Sequence, residues 1–320
     1  MNKPPATYAL WRDALEASWR HGEGPIRRIA RLQGWLLRGA KQTQWLTRVH
    51  HSRALRQASE SDPRLYDRWH RPYISRHFSQ ATRQEIIEAH YTFVLERFPQ
   101  RMRERLFRGH DIRVAMLRLE NATPAYIHLR KPVHAHDGEL GIYLVNEYKE
   151  VLASCSLTFG GIEGLLIGNI QGAWSYLGDT AMREFVRASC GLQPKDLLMS
   201  LIRALADSLG LEQIRAVGRD AHPPQATNPV DDAFLRAHGG IPDHAGCYDL
   251  PPVDLPMPQG RSQRRRLLED RRESLRREAC TLLTHAFAGY SKDLVRHLPT
   301  QRAEPMATHA FAARQALASA

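Results

Sequence analysis

The stretch from Val151 to Gly172 constrains the fold more than any other part of the chain. Val151, Ala153, Cys155, Leu157 and Phe159 alternate with Leu152, Ser154, Ser156 and Thr158, the period of two expected of a half-buried strand. Gly160-Gly161 follows as a turn, and Gly164–Ile170 forms a second apolar run, so the spacing predicts an antiparallel hairpin. Further strands are expected at Ile112–Leu117, Ala125–Leu129, Leu140–Val145 and Gln213–Val217.

Helical signals punctuate these strands. Ser79 precedes a run carrying Ile86, Ile87, Tyr91 and Val94, which predicts a capped helix over about 80–97. A short helix is expected near Thr180–Ser189. Pro194 suits the first turn of another, since its missing N–H costs nothing there. Leu197, Leu198, Leu201, Ile202, Leu205 and Leu209 then make one apolar stripe that stops at Gly210. The expected fold is α+β, with a mixed, largely antiparallel sheet, a basic helical N-terminal region and a basic C-terminal helix. We divide the sequence into a basic helical region at 1–66, a core at 67–258 and the C-terminal helix with an Ala-rich tail at 259–320. Within the core, Ala221–Pro258 is rich in Pro and Gly and reads as loop with short elements.

Charge narrows the range of partners. The 320 residues hold 45 Lys plus Arg against 34 Asp plus Glu, a net +11, which favours an anionic membrane surface or a phosphate-bearing ligand. From Gly24 to Ser59 there is no acid, and the eight basic residues there interleave with Trp35, Leu36, Trp45 and Leu46. That pattern fits an interfacial amphipathic helix or one packed on the core. Arg261–Ala279 mixes eight Arg with four acids at helical spacing, and no sequence-specific nucleic-acid module is recognisable. Cys155, Cys190, Cys247 and Cys280 are far apart, which predicts reduced thiols rather than a zinc or redox site. No apolar leader follows Met1, and no apolar window reaches spanning length, so the expected location is cytoplasmic, with any membrane contact peripheral to the inner membrane. Oligomeric state is not written in the sequence.

Two groups of residues carry candidate chemistry. His134 and His136 would share one face of an extended strand, with Glu139 near enough to complete an acid–base cluster; no metal set is assigned. His222 ends the Gln213–Val217 strand region just before Pro223-Pro224, a position where α/β proteins often hold functional groups. Each is equally readable as a polar turn or loop residue.

Several segments together resemble the VirK/YbjX-like family: Glu163-Gly-Leu-Leu-Ile-Gly-Asn-Ile-Gln-Gly172, Gly191-Leu-Gln-Pro-Lys195, Gln213-Ile-Arg-Ala-Val217, Arg71-Pro-Tyr-Ile-Ser75, His90-Tyr91 and Asp137-Gly-Glu-Leu140. The resemblance covers roughly Arg71 to Arg277. It implies a part in envelope integrity, virulence and resistance to antimicrobial peptides in Gram-negative bacteria, without an agreed chemistry. Where the family has a Tyr-Asp-x-Phe-Trp-like segment, this chain reads Asp231-Asp232-Ala-Phe234-Leu235 and lacks the tryptophan. The order strand, turn, helix at Pro194, strand also resembles the cofactor half of the GCN5-related acyltransferase fold. There a helix N-terminus receives the coenzyme A pyrophosphate, which would make Gln171, Gly172, Gly191, Gln193 and Lys195 the residues binding acyl-CoA or another acyl thioester. The chain departs from that pattern by about twenty residues inserted between Gln171 and Pro194. Two functions follow as expectations: an acyltransferase-like enzyme, or a non-enzymatic adaptor docking through basic helices.

Overall fold

A computed structural model describes residues 10–12, 14, 16, 39–173, 180–224, 230–253 and 262–289. Two helices come first, α1 (Gly39–His51) and α2 (Arg53–Ser61). Turns at Pro63–Tyr66 and Arg68–His70 lead to α3 (Gln80–Arg97) and α4 (Gln100–Phe107). Strands β1 (Ile112–Arg118), β2 (Pro124–Arg130), β3 (Leu140–Asn146), β4 (Val151–Phe159) and β5 (Leu165–Gly172) follow without an intervening long helix. Then come α5 (Thr180–Ala188), α6 (Pro194–Ser208), β6 (Ile214–Val217), α7 (Asp232–Ala237), β7 (Ile241–Pro242), β8 (Cys247–Leu250) and α8 (Gln263–Phe287).

The eight strands form one sheet in the order β1-β2-β3-β4-β5-β6-β8-β7. Every pairing is antiparallel except β5 with β6, which run parallel because α5 and α6 carry the chain back across the sheet between them. The α+β class, the mixed sheet and the hairpin of β4 with β5 agree with the sequence. Phe159 pairs with Leu165, and the connection is a tight turn at Gly161–Glu163. Gly164 there has φ +68, a conformation open to glycine, and a Cβ would lie 2.4 Å from the Gln213 carbonyl oxygen.

Two expectations change. Strand β4 is not half-buried: eight of its nine residues are buried, because it lies in the middle of the sheet and packs against α3 and α6. Its polar residues face protein; Thr158 Oγ1 lies 3.2 Å from the buried Tyr73 hydroxyl. The Pro- and Gly-rich segment holds short elements as expected, among them β8, which pairs with β6 throughout Ile214–Val217. Finally, residues 131–139 form turns rather than a strand, so the period-two reading of His134 and His136 does not apply.

One hydrophobic core runs through all three sequence segments, from Trp45 and Trp69 through Ile87, Leu144 and Leu201 to Leu283. Trp45 is buried and donates its indole N–H to the Leu65 carbonyl at 3.0 Å, and Leu46 packs with Leu10 and Ala14. The apolar side of the basic N-terminal segment is therefore spent on the protein itself over α1, while Trp35 and Leu36 lie outside the described residues. No helix among the described residues is long and apolar enough to cross a membrane. Helix α8 packs along α6 and β1.

Candidate functional site

The parallel strands β5 and β6 part company early. Their register runs Leu165 with Ile214, Leu166 with Arg215 and Ile167 with Ala216, and then stops. Strand β5 continues to Gly172 paired, among the described residues, only with β4, whereas β6 turns away at Gly218 into the tight turn Arg219–Ala221. A bulge marks the divergence. Ser156 pairs with Asn169 but Leu157 pairs with Ile167, which leaves Gly168 as the extra residue on β5. Bulges bend the strand that holds them and end its pairing, which explains the fork. Glycine is required there because a Cβ would lie 1.8 Å from the Asp137 carbonyl oxygen, where the 131–139 turn crosses the strand.

Four polar side chains meet at this fork. Asp137 Oδ2 accepts from Asn169 Nδ2 at 2.9 Å. Its Oδ1 lies 3.3 Å from His136 Nε2, but the alignment makes no hydrogen bond. Asn169 Oδ1 also has no partner, and His222 Nδ1 leans toward the Val217 carbonyl without completing a bond. His222 Nε2 accepts from the Val230 N–H at 3.3 Å. Buried polar atoms are nearly always paired, so a concentration of unpaired ones points to a ligand or reacting group that completes them. His136, with 21% of its side chain exposed against 4% for Asp137, is the solvent-facing member. Burial holds the His136 and His222 pKa values below the ordinary imidazole value, against the pull of Asp137.

The segment Arg71–His77 ties this cluster together. The Ile74 N–H donates to the His136 carbonyl at 2.8 Å, and the Arg76 N–H donates to the Ala221 carbonyl at 2.8 Å. Arg76 Nε also donates to the His222 carbonyl at 2.9 Å. Ile74 sits at φ +60 between a Ser75 N–H and a Tyr73 carbonyl 2.7 Å apart, a γ-turn that costs a β-branched residue on the order of 1–2 kcal/mol. Such strain is held only where surrounding bonds over-determine it.

A second network lies next to the first. Arg68, buried, reaches both Glu139 and Asp62 through its two terminal nitrogens. Tyr73 donates to Glu139 at 2.9 Å and Tyr91 donates to its other oxygen at 2.7 Å. Burial and the Glu139 charge push both phenol pKa values well up, so they stay donors. Three donors hold the Glu139 carboxylate in a buried position that leaves it poorly placed to take a proton from a substrate. These bonds anchor the turn two residues from Asp137. Beside it His90 accepts the Phe159 N–H at 3.2 Å, and burial lowers its pKa to about 4.

The expected site residues separate in space. His222 lies near enough to Asp137 to feel its charge, and His134 flanks the cluster, its ring stacked on His136 at 5.4 Å between centroids. Gln171 and Gly172 close β5, paired with Ser154 and Ala153. Gly191 and Gln193 line a cavity of about 570 Å³ that contains none of Gln171, Gly172 or Lys195. Lys195 instead stands over the Phe234 ring at 4.7 Å, and the N-terminal turn of α6 is complemented by its own Asp196, 3.2 Å from His238. The five therefore do not form one pyrophosphate cradle. Among the described residues no set of His, Cys, Asp and Glu is arranged to hold a metal ion. Asp137 and Asn169 were not singled out as site residues, although each lies inside a segment that carries the family resemblance.

Comparison with known proteins agrees with that resemblance. Residues 25–265 match the family described as "Protein of unknown function (DUF535)". The uncharacterized protein YbjX of Escherichia coli is 25% identical over 221 residues, covering 65% of this chain and 67% of its own. Among solved structures, a mutant of a cAMP-binding acyltransferase from Mycobacterium smegmatis aligns with 66% of this chain at 12% identity and a TM-score of 0.28. This chain spans 63% of that enzyme, and a likeness so low carries no argument.

Proposed function

The chain belongs to the DUF535 family, and on that premise we propose that it is an acyl-transfer enzyme whose thioester substrate enters the fork between β5 and β6. One observation carries the reading: past Ile167 the β5 edge has no strand partner among the described residues, and the unpaired polar atoms of His136, Asp137 and Asn169 gather beside it. An extended chain bearing amides, such as a pantetheine arm, would satisfy that edge as an added strand does. His136, kept neutral near pH 7 by burial, would take the proton from an attacking amine or hydroxyl. That nucleophile bonds to the acyl carbon, the carbon–sulfur bond breaks, and the thiolate leaves and is protonated. Asp137, held by Asn169, orients and steadies the imidazolium that forms. With the VirK/YbjX-like resemblance, the acceptor we infer belongs to the Gram-negative envelope.

Calorimetry with coenzyme A and a thiol-release assay with acyl-CoA and simple amine acceptors test this. His136→Gln is expected to retain binding and to lose about a hundredfold or more in turnover. No heat and no thermal shift with millimolar ligand would remove the enzyme reading and leave the adaptor, which the arginine-rimmed groove described next favours.

A further inference from the structure

We propose that the groove between α5 and α8 docks the protein on a bilayer by receiving an anionic phospholipid. Its volume of about 570 Å³ is within the range of ligand sites. Met182 and Val186 of α5 and Leu268 of α8 supply its apolar wall, Arg183 and Arg187 stand in its lining, and among the described residues no carboxylate contributes to it. Helix α8 reinforces this chemistry. Its fully buried residues begin at Ala279 and Leu275 packs partly against the core, whereas residues 262–268 are all exposed, so the first turns are held out from the core. Leu267 and Leu268 on those turns are 56% and 38% exposed, although burial is the usual fate of leucine.

Helix geometry then fixes which charges accompany Leu268. Positions three and four residues away share its face, which makes Arg264, Arg265 and Arg272 its neighbours. Arg271 shares that face too but is occupied by Glu120 at 2.6 Å, and this pairing also neutralises the carboxylate nearest Cys190 in the groove wall. The result is an apolar trough between two arginine rails. Guanidinium groups pair with phosphate oxygens in a fork geometry, while the trough suits the glycerol and upper acyl carbons of the same lipid. A nucleic acid would use the rails and leave the exposed leucines unexplained. The surface shares no residue with the β5–β6 fork, so it stands or falls apart from the acyl-transfer reading.

The test is co-sedimentation of the full chain with vesicles of phosphatidylcholine alone or mixed with phosphatidylglycerol. Binding is expected to the mixed vesicles only. Arg187→Glu and Arg264→Glu should each weaken it by about tenfold or more, since a basic residue near such a surface contributes about a factor of five and reversal counts twice. Leu268→Ser should weaken it several-fold through the apolar term. Arg277→Glu is the matched control: Arg277 is nine residues along, about 180° round the helix from Leu268, and pairs with Glu273 at 2.7 Å. Its effect should stay within about twofold. An equal loss in Arg277→Glu, an inert Leu268→Ser, displacement by short duplex DNA, or no binding to mixed vesicles would each overturn the proposal. Thermal unfolding checks each variant, and because Arg264 is exposed on an outer turn its variant decides the matter should Arg187→Glu fail to fold.

Discussion

Replacing Arg68 by methionine tests whether the buried charge network holds the N-terminal helices to the sheet. Arg68 is the cation between Glu139 and Asp62, with side-chain exposures of 7%, 4% and 11% respectively. Breaking a buried pair by removing one partner costs about 3–5 kcal/mol, because the remaining charge stays out of water without compensation. Glu139 keeps the Tyr73 and Tyr91 donors, and Asp62 keeps Arg64 at 3.2 Å, so the loss should fall at about 3 kcal/mol, the lower end of that range. In urea this shifts the unfolding midpoint down by roughly 1 M or more with an unchanged slope. Adding Glu139→Gln to Arg68→Met removes the stranded charge while an amide oxygen still accepts from a tyrosine. It should recover at least about 1 kcal/mol, a coupling that a double-mutant cycle reads directly. A loss below about 1 kcal/mol, or strictly additive variants, would show that the network is decorative.

The same variant has a pH signature. Burial alone would raise the Asp62 pKa, yet Arg68, Lys131 and Arg64 hold it at about 2, below its ordinary 3.8. A depressed carboxylate contributes stability that is complete above its unfolded pKa and disappears as pH falls through the folded value. For Asp62 this amounts to about 2 kcal/mol between pH 4 and 2. Arg68→Met should flatten that part of the stability profile.

Other expectations follow from single contacts. His90, with its folded pKa near 4 against an unfolded 6.5, contributes about 3 kcal/mol that is intact above pH 6.5 and is lost as pH falls through 4; urea midpoints equal at pH 7 and 4.5 would contradict this. His222 and His136 act in the same direction. Gly168→Ala forces a Cβ against the Asp137 carbonyl and should destabilise by several kcal/mol (~3), whereas Gly172→Ala, which meets nothing within 4 Å, should stay within about 0.5 kcal/mol; equal midpoints for the two would refute the bulge argument. Asn169→Ala should fold, at a cost of about 1–3 kcal/mol, and lower acyl-transfer turnover more than coenzyme A affinity; unchanged turnover would remove Asn169 from the positioning role.

The strands from β1 to β5 were legible because each is long enough for a period of two to register, and α3 and α6 because Ser79 and Pro194 mark their starts. Strand β8 was not, since Cys247-Tyr-Asp-Leu250 is too short to show a period and sits among turn residues. His222 was placed at the end of a strand region correctly, but nothing local in the sequence brings Asp137 or Asn169 to it; that meeting depends on a one-residue bulge at Gly168. Nor does the local sequence show that Arg68, Tyr73 and Tyr91, all distant in the chain, converge on Glu139. The basic helices show the deeper reason for such errors. An apolar stripe flanked by arginines has the same pattern whether a core or a bilayer will cover it, and only burial decides. At Trp45 and Leu46 the core has taken the stripe; at Leu267 and Leu268 it has not, and the proposed bilayer contact accordingly lies on α8 rather than α1.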